Sequence, residues 1–398
     1  MIEIICFILL CVLILPDIYI FREYIRKNTS KGWLKPLYFL PTILLGAWLL
    51  IVIFLRKTDF YEPFIKPFGT LAIIFLLITL PKLAFSIASL IGRAVSRILK
   101  KPVQKYFDTA GIILGTLTVI AVLYGRFHGI NRFTVKEVTL ESANLPKGFD
   151  GYRIVQLSDI HLESWKGRER KLIRMVNTVN RLHPDLIVIT GDLVTDIAEE
   201  TDNFTDILPH LMARNGVFSI LGNHDYGMYI DWDSPEEEAA NLEKLKKIQE
   251  EFGWTLLTNE NEIIINKGDS IALIGVENEG NPPFPQYSDL KKAGTGTDGL
   301  FKILLTHDPS HWKKEVLPET DIDLTLSGHT HAMQVNIFGL SPAIIRNREW
   351  GGIYTEGNRG LYVNVGLGYT GLPLRLGAWP EITVITLKTQ MIQKIYAQ

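Results

Sequence analysis

The chain has 398 residues, enough for two domains of ordinary size. Its formal net charge of −2 gives no ground for a polyanionic partner such as nucleic acid. Its two cysteines, Cys6 and Cys11, both lie in an apolar segment, so the polar part holds neither a disulfide framework nor a cysteine-based zinc site.

Residues 1–130 are the apolar part. Four runs stand out there: Ile2–Ile20, Pro36–Leu55, Phe68–Ile91 and Thr109–Tyr124. Each is near the ~17–25 residues that span a bilayer as a helix. None shows the polar face that a surface helix of a soluble domain needs. Ile2–Ile20 lacks a basic start and a small-x-small cleavage site, so it does not read as a removable signal peptide. The predicted unit is a four-helix transmembrane region.

Loop charges give the orientation. The segments Arg22–Lys35 and Arg93–Lys105 each carry five Lys or Arg, while Arg56–Lys66 and Arg126–Lys136 carry three each and the N-terminus has none before Arg22. The positive-inside rule then places the two richer loops in the cytoplasm, and the N-terminus and residues 131–398 outside it. That describes an integral protein of a plasma or bacterial inner membrane. Lys82, just after Pro81, admits two readings: an ionisable group at membrane depth, or the start of a basic surface helix over Leu83–Lys101 with the span ending at Pro81.

From Val135 the composition is that of a globular domain, and the second domain is placed at 131–398. Val135–Leu140 reads as a strand. Arg168–Leu182 has helical spacing, with Leu172, Ile173, Val176, Val179 and Leu182 on one face. Pro235–Phe252 is a second helix, with Ser234 as N-cap, Pro235 at the first position, three glutamates in the first turn and Gly253 as the stop. Strands follow near Thr255–Leu257, Glu262–Ile265 and Ile271–Val276. Early alternation of strands and helices, then clustered strands, predicts a layered α/β arrangement. Residues 279–300 form a long aperiodic loop, a common place for functional residues and also for plain surface excursions.

Five apolar, strand-like runs end in metal-ligating residue types. Ile154–Ser158 leads into Asp159 and His161, and Leu186–Thr190 into Gly191-Asp192. Val217–Leu221 leads into Gly222-Asn223-His224-Asp225. Ile303–Thr306 leads into His307-Asp308, and Leu324–Ser327 into Gly328-His329-Thr330-His331. Strands of one sheet that end this way would bring Asp, Asn and His side chains to one edge, where they could share a metal. None of the nine histidines precedes His128, and five of them sit in these blocks. The other four, His128, His183, His210 and His311, read as ordinary surface or core residues.

In order and content the five blocks resemble the calcineurin-like metallophosphoesterases, with D-x-H, G-D, G-N-H-[DE], a lone H and G-H-x-H between Asp159 and His331. The resemblance implies a four-layer α/β/β/α sandwich preceded by the transmembrane helices. It also implies two divalent ions, Mn, Fe or Zn. Asp159, His161 and His331 would ligate one; Asn223, His307 and His329 would ligate the other; Asp192 would bridge them. His224 would be catalytic without ligating metal, with Asp225 orienting its ring. The case for Asp308 is weaker, and a turn-capping role suits it. Arg375, in a tail similar to the membrane-tethered bacterial branch, could hold phosphate or a structural salt bridge. One departure from the family pattern is Ala332-Met333-Gln334, where many relatives have Gly-Gly-Gln after the last block.

Two ions bound close together would offset the charge of a phosphoester and activate water. The expected activity is hydrolysis of phosphodiesters or pyrophosphates, lipid- or envelope-linked ones included. The alternative is a transport or regulatory membrane protein whose globular part binds metal without catalysis. Nothing in the sequence fixes the oligomeric state.

Overall fold

The computed structural model describes residues 2–28, 32–55 and 68–390. The chain divides into a helical unit over residues 1–128 and an α/β unit over 129–370 and 375–398.

In the helical unit, α1 (Ile2–Ile20) continues through a π-helical turn to Asn28. Then come α2 (Leu40–Leu55), α3 (Phe68–Leu99) and α4 (Gln104–Phe127). The Arg56–Lys66 loop used in the charge count lies outside the described residues. The third apolar run and the basic stretch after Pro81 form one 32-residue helix, α3, with Pro81 inside it. Prolines are tolerated where a neighbouring helix packs on the altered turn. Here Gly115 of α4 lies against Pro81, and Gly111 against Phe85 and Ala88. Small residues on α4 thus let the two backbones approach. At 1.5 Å per residue α3 is about 48 Å long, longer than the ~30 Å hydrocarbon core.

Lys82 has a partner. Its Nζ lies 2.6 Å from the buried carboxylate of Asp17 on α1. Asp17 also accepts from Tyr38 Oη at 3.0 Å and from Thr42 Oγ1. A second polar group forms around Ser89, whose Oγ meets Tyr19 Oη at 2.7 Å and Gln104 Nε2 at 3.0 Å.

The α/β unit contains β1 (Thr134–Ser142), β2 (Arg153–Leu157), α5 (Glu169–Arg181), β3 (Leu186–Thr190), β4 (Val217–Ile220), α6 (Pro235–Glu251), β5 (Thr255–Leu256), β6 (Glu260–Asn266), β7 (Asp269–Gly275), β8 (Phe301–Leu305), β9 (Leu324–Ser327), β10 (Gly352–Glu356), β11 (Arg359–Val363) and β12 (Glu381–Thr389). One sheet has the order β1-β12-β2-β3-β4-β5, the other β10-β11-β9-β8-β7-β6. Strands β2 to β5 are mutually parallel, as are β7, β8, β9 and β11. Their near-continuous apolar runs suit parallel strands covered on both faces.

Side-chain alternation makes the layers. Ile154, Leu186 and Val188 of the first sheet pack with Leu273, Ile303, Leu305 and Leu326 of the second in the core between the sheets. Val155, Leu157, Ile187 and Ile189 face the other way, onto Leu172, Met175, Val176 and Val179 of α5 and Leu245 of α6. Ile274, Leu304 and Val363 turn outward from the second sheet onto Trp312 and Val316 of the segment 312–319. The result is helix, sheet, sheet, helix. The caps of α6 are as the sequence predicts: Ser234 Oγ accepts from Glu237 N at 3.2 Å, and Gly253 takes a positive φ just after the helix.

Candidate active site

The five blocks leave the C-terminal ends of β2, β3 and β4 in the first sheet, and of β8 and β9 in the second. The expectation of a single sheet is corrected: the ligand-type residues come three strands from one sheet and two from the other. Gln156 ties the two edges together, its Nε2 donating to Thr190 Oγ1 on β3 (3.1 Å) and to Ser327 O on β9 (2.9 Å).

β2, β3 and β9 are each followed by a sharp turn. Asp159, His161, Asp192, His329 and His331 all take positive φ, between 47° and 71°. Such conformations cost of order 1–3 kcal/mol each for residues other than glycine and concentrate at functional sites. Two glycines create the space. A Cβ on Gly222 would run into the Asp192 carboxylate, and one on Gly328 into Ser158 Oγ and the Asp159 carboxylate.

Asp159, His161, Asp192 and His331 are buried, and one donor atom from each lies within 4.8 Å of the others. His161 Nε2 is 3.1 Å from His331 Nε2 and 3.5 Å from Asp192 Oδ2. His331 Nε2 is 3.1 Å from Asp159 Oδ1. On the other side, His307 Nε2 is 3.1 Å from Asp192 Oδ2, and Asn223 Oδ1 is 2.8 Å from His329 Nδ1. Asp192 therefore stands between two groups of donors. His307 donates from Nδ1 to Thr190 O at 2.7 Å, which leaves Nε2 as the nitrogen able to ligate. Asp308 does two things: its Oδ1 caps the N–H of Ser310, and its Oδ2 lies 3.6 Å from His329 Nε2, the ring nitrogen opposite Asn223.

The electrostatics ask for positive charge. Burial alone would raise the Asp159 carboxyl, but the His331 and His307 rings hold it low. Burial favours neutral His307, yet Asp192 beside it pushes the ring up to about 10. His161 goes down, chiefly through burial and then through His224 nearby. Two buried carboxylates among facing imidazole nitrogens, with His307 Nε2 lacking a well-formed hydrogen bond, fit divalent cations held by mixed oxygen and nitrogen donors.

His224 and Asp225 are not partners, which corrects the expected bond between them. The His224 ring bonds through Nδ1 to Thr195 O at 2.5 Å. Asp225 instead accepts four backbone N–H bonds, from Asp192, Leu193, Val194 and Gly222, at 2.8 to 3.1 Å. It holds the turn that presents Asp192. Arg375 also departs from both its readings. It is fully buried, donates to the carbonyls of Val365, Gly368 and Ala378, and reaches His331 Nδ1 at 3.1 Å.

Several neighbours carry no motif. Glu200 accepts from the N–H groups of Glu163, Thr195, Asp196 and Ile197 and so fixes the loop that offers the Thr195 carbonyl. The Tyr229 ring lies 4.4 Å from that of His224, and its hydroxyl meets Asn223 Nδ2 at 2.9 Å. Phe284, from the long loop 279–300, stands edge-on to His329 at 4.9 Å. Aromatic residues after Gly-Asn-His-Asp and inside the loop were the available sequence signal, but nothing in their spacing marked them.

Residues 152–333 match the family described as Calcineurin-like phosphoesterase. Residues 2–130 match one described as Probable Calcineurin-like phosphoesterase, transmembrane domain. The chain is 35% identical over 279 residues to the Bacillus subtilis metallophosphoesterase YkuE, covering 67% of this chain and 89% of that one. It is 33% identical over 282 residues to a Danio rerio transmembrane protein with metallophosphoesterase domain, covering 68% of this chain and 61% of that longer one. A Campylobacter jejuni metallophosphoesterase, Cj0846, matches at 28% identity over 96% of this chain and 97% of its own. The chain thus belongs to the calcineurin-like phosphoesterases, a family of metal-dependent hydrolases, and carries a transmembrane domain ahead of its phosphoesterase domain.

Proposed function

We propose that the protein hydrolyses phosphodiesters or pyrophosphates at a site for two divalent cations. Asp159, His161, Asp192 and His331 would hold one, and Asp192, Asn223, His307 and His329 the other. The observation that carries this reading is the position of Asp192 Oδ2, 3.5 Å from His161 Nε2 and 3.1 Å from His307 Nε2, one oxygen shared by both donor groups. Ions held there supply charge neutralisation for the phosphoryl group and an activated water. Mn, Fe and Zn all suit the donor set.

The residues do the rest. His224 donates its Nδ1–H to Thr195 O, so Nε2 is the nitrogen that would give a proton to the leaving oxygen. Tyr229, bonded to Asn223, and Phe284, edge-on to His329, stand beside these donors. The five and five basic residues in two loops, against none, three and three elsewhere, support a phosphoesterase domain outside the cytoplasm. There its substrates would be lipid- or envelope-linked phosphates. Protease added to intact spheroplasts should then cut residues beyond 140, and protection until lysis would reverse the orientation.

The test of the activity uses the full-length protein in detergent with added Mn. It should bind about two metal ions per chain and hydrolyse bis(p-nitrophenyl) phosphate. Asp192→Ala should lose metal and turnover together. A variant that keeps both would overturn the shared role of Asp192.

A further inference from the structure

The segment after the last metal-ligand block is built in a way that water does not favour. Ile337 and Leu340 pair across a two-residue turn formed by Phe338 and Gly339. The turn is well made: Ile337 N reaches Leu340 O at 2.9 Å, Leu340 N reaches Ile337 O at 3.0 Å, and Gly339 N bonds Asn336 Oδ1 at 3.0 Å. Its base is fixed by the buried Ser341, whose Oγ donates to Ala332 O and accepts from Ala343 N. This is an ordered projection, and its tip is apolar. Phe338 is fully exposed, Ile345 is 89% exposed and Leu340 is 72% exposed, with Met333, Ile337 and Ile344 about half exposed.

Phe338 is out of place twice over. Both central residues of this turn take positive φ, 54° at Phe338 and 82° at Gly339. Asn-Gly is the usual pair for such a turn, and a bulky aromatic at positive φ is an outlier. Neither backbone preference nor solvation in water puts a phenylalanine there. An apolar group projecting from a tight, self-satisfied hairpin is suited to enter another phase.

The charges say which phase. From Thr330 to Arg348 the chain has no Asp or Glu, and the projection is followed by the exposed Arg346 and Arg348. Apolar tips flanked by arginines match the boundary between acyl chains and anionic headgroups. The chain also carries a transmembrane domain, so a bilayer is part of its surroundings. The projection lies beyond residues 152–333, the stretch matched by the phosphoesterase family.

We propose that the hairpin Asn336–Leu340, with Ile344 and Ile345, inserts into the headgroup layer of an anionic bilayer, with Arg346 and Arg348 at the phosphate level. This surface begins five residues after His331, so its insertion would set the mouth of the site at headgroup height. The inference does not depend on the substrate proposed above.

The test uses the full chain with Cys6→Ser and Cys11→Ser, reconstituted in vesicles of phosphatidylcholine and phosphatidylglycerol. A polarity-sensitive fluorophore is attached at Phe338→Cys and, as a control, at the exposed Lys291→Cys. The label at 338 should emit at shorter wavelength than the label at 291, and nitroxide-bearing lipids should quench it several-fold more. Leu340→Asp with Ile345→Asp should bring the 338 label back to the behaviour of the control, with the far-ultraviolet circular dichroism unchanged. Water-like emission at 338 in the parent chain would overturn the proposal. So would a blue shift without lipid quenching but with self-quenching that grows with protein density, which would give the tip to a second copy of the chain.

Discussion

The ring of His224 is anchored to the backbone of Thr195, with Nδ1 2.5 Å from the carbonyl oxygen. A carbonyl can only accept, so this nitrogen keeps its proton in both charge states of the ring. Proton exchange with a leaving oxygen falls to Nε2. Replacing His224 by alanine should leave metal content near that of the wild type while turnover drops by roughly 10²–10⁴, the range for a lost proton donor. Metal analysis beside turnover on a chromogenic diester decides this, and loss of metal in the variant would make His224 a ligand.

Asp225 should behave differently, because it holds backbone and not ring. Its two oxygens accept four N–H groups, three of them on the stretch Asp192–Val194. Burial and the nearby Asp192 push its carboxyl up to about 7, against the pull of the Gly222 and Val194 N–H groups. Asp225→Ala should lower stability by several kcal/mol, since each buried N–H left without its acceptor costs ~1–3 kcal/mol. Thermal unfolding should show the loss, with weaker metal binding as Asp192 drifts. Unchanged melting together with lost turnover would return Asp225 to a direct catalytic role.

The Asp17–Lys82 pair makes a prediction about the helical unit. Lys82→Met leaves Asp17 buried with hydroxyl donors alone, and breaking a buried ion pair on one side typically costs ~3–5 kcal/mol. Asp17→Asn added to Lys82→Met should recover most of that. Unfolding in detergent, followed for both variants, is the measurement; equal stability of single and double variants would show that the pair does not couple.

Glu381 gives stability a pH dependence of known sign. It is buried, accepts from Tyr362 Oη at 2.8 Å and Thr383 Oγ1 at 2.9 Å, and has Lys136 Nζ at 3.8 Å. Burial raises its pKa above the unfolded value, against the opposing pull of Lys136, Arg375 and the two hydroxyls. The folded state thus binds the proton more tightly, so this contribution is complete below the unfolded pKa and is lost as pH rises through the folded one. Glu381→Gln should flatten that decline and raise the melting temperature at neutral pH. A variant that melts lower at neutral pH, with the same slope, would show that the charged form is the favoured one.

The proposed metal ligands are legible in the sequence because their chemistry and the fold coincide. A ligand at the end of a buried parallel strand leaves a residue of a recognisable type after a run such as Leu186–Thr190, and five such endings occur in order. What surrounds them was not legible. Thr195 acts through its carbonyl, which every residue has. Tyr229 and Phe284 are brought in by loops without period. Asp17 lies in an apolar run, and its partner Lys82 comes from a helix 65 positions later, which no local pattern shows. In the tail, Arg375 is the residue that draws the eye, while the main contribution is β12, an apolar strand whose place among its neighbours no local pattern encodes.

That strand bears on how the protein is made. β12 lies between β1 and β2, pairing with Thr134–Ser142 on one side and Arg153–Gln156 on the other. Until Glu381–Thr389 has left the ribosome, the first sheet has a gap beside the strand that carries Asp159. At 5–20 residues per second, the wait after β2 is roughly 10–50 s. The helices are already available for insertion during that time, while the phosphoesterase half is still an unclosed chain. In the proposed orientation the phosphoesterase half crosses the membrane, and the late strand delays closure of the first sheet while that crossing gets under way.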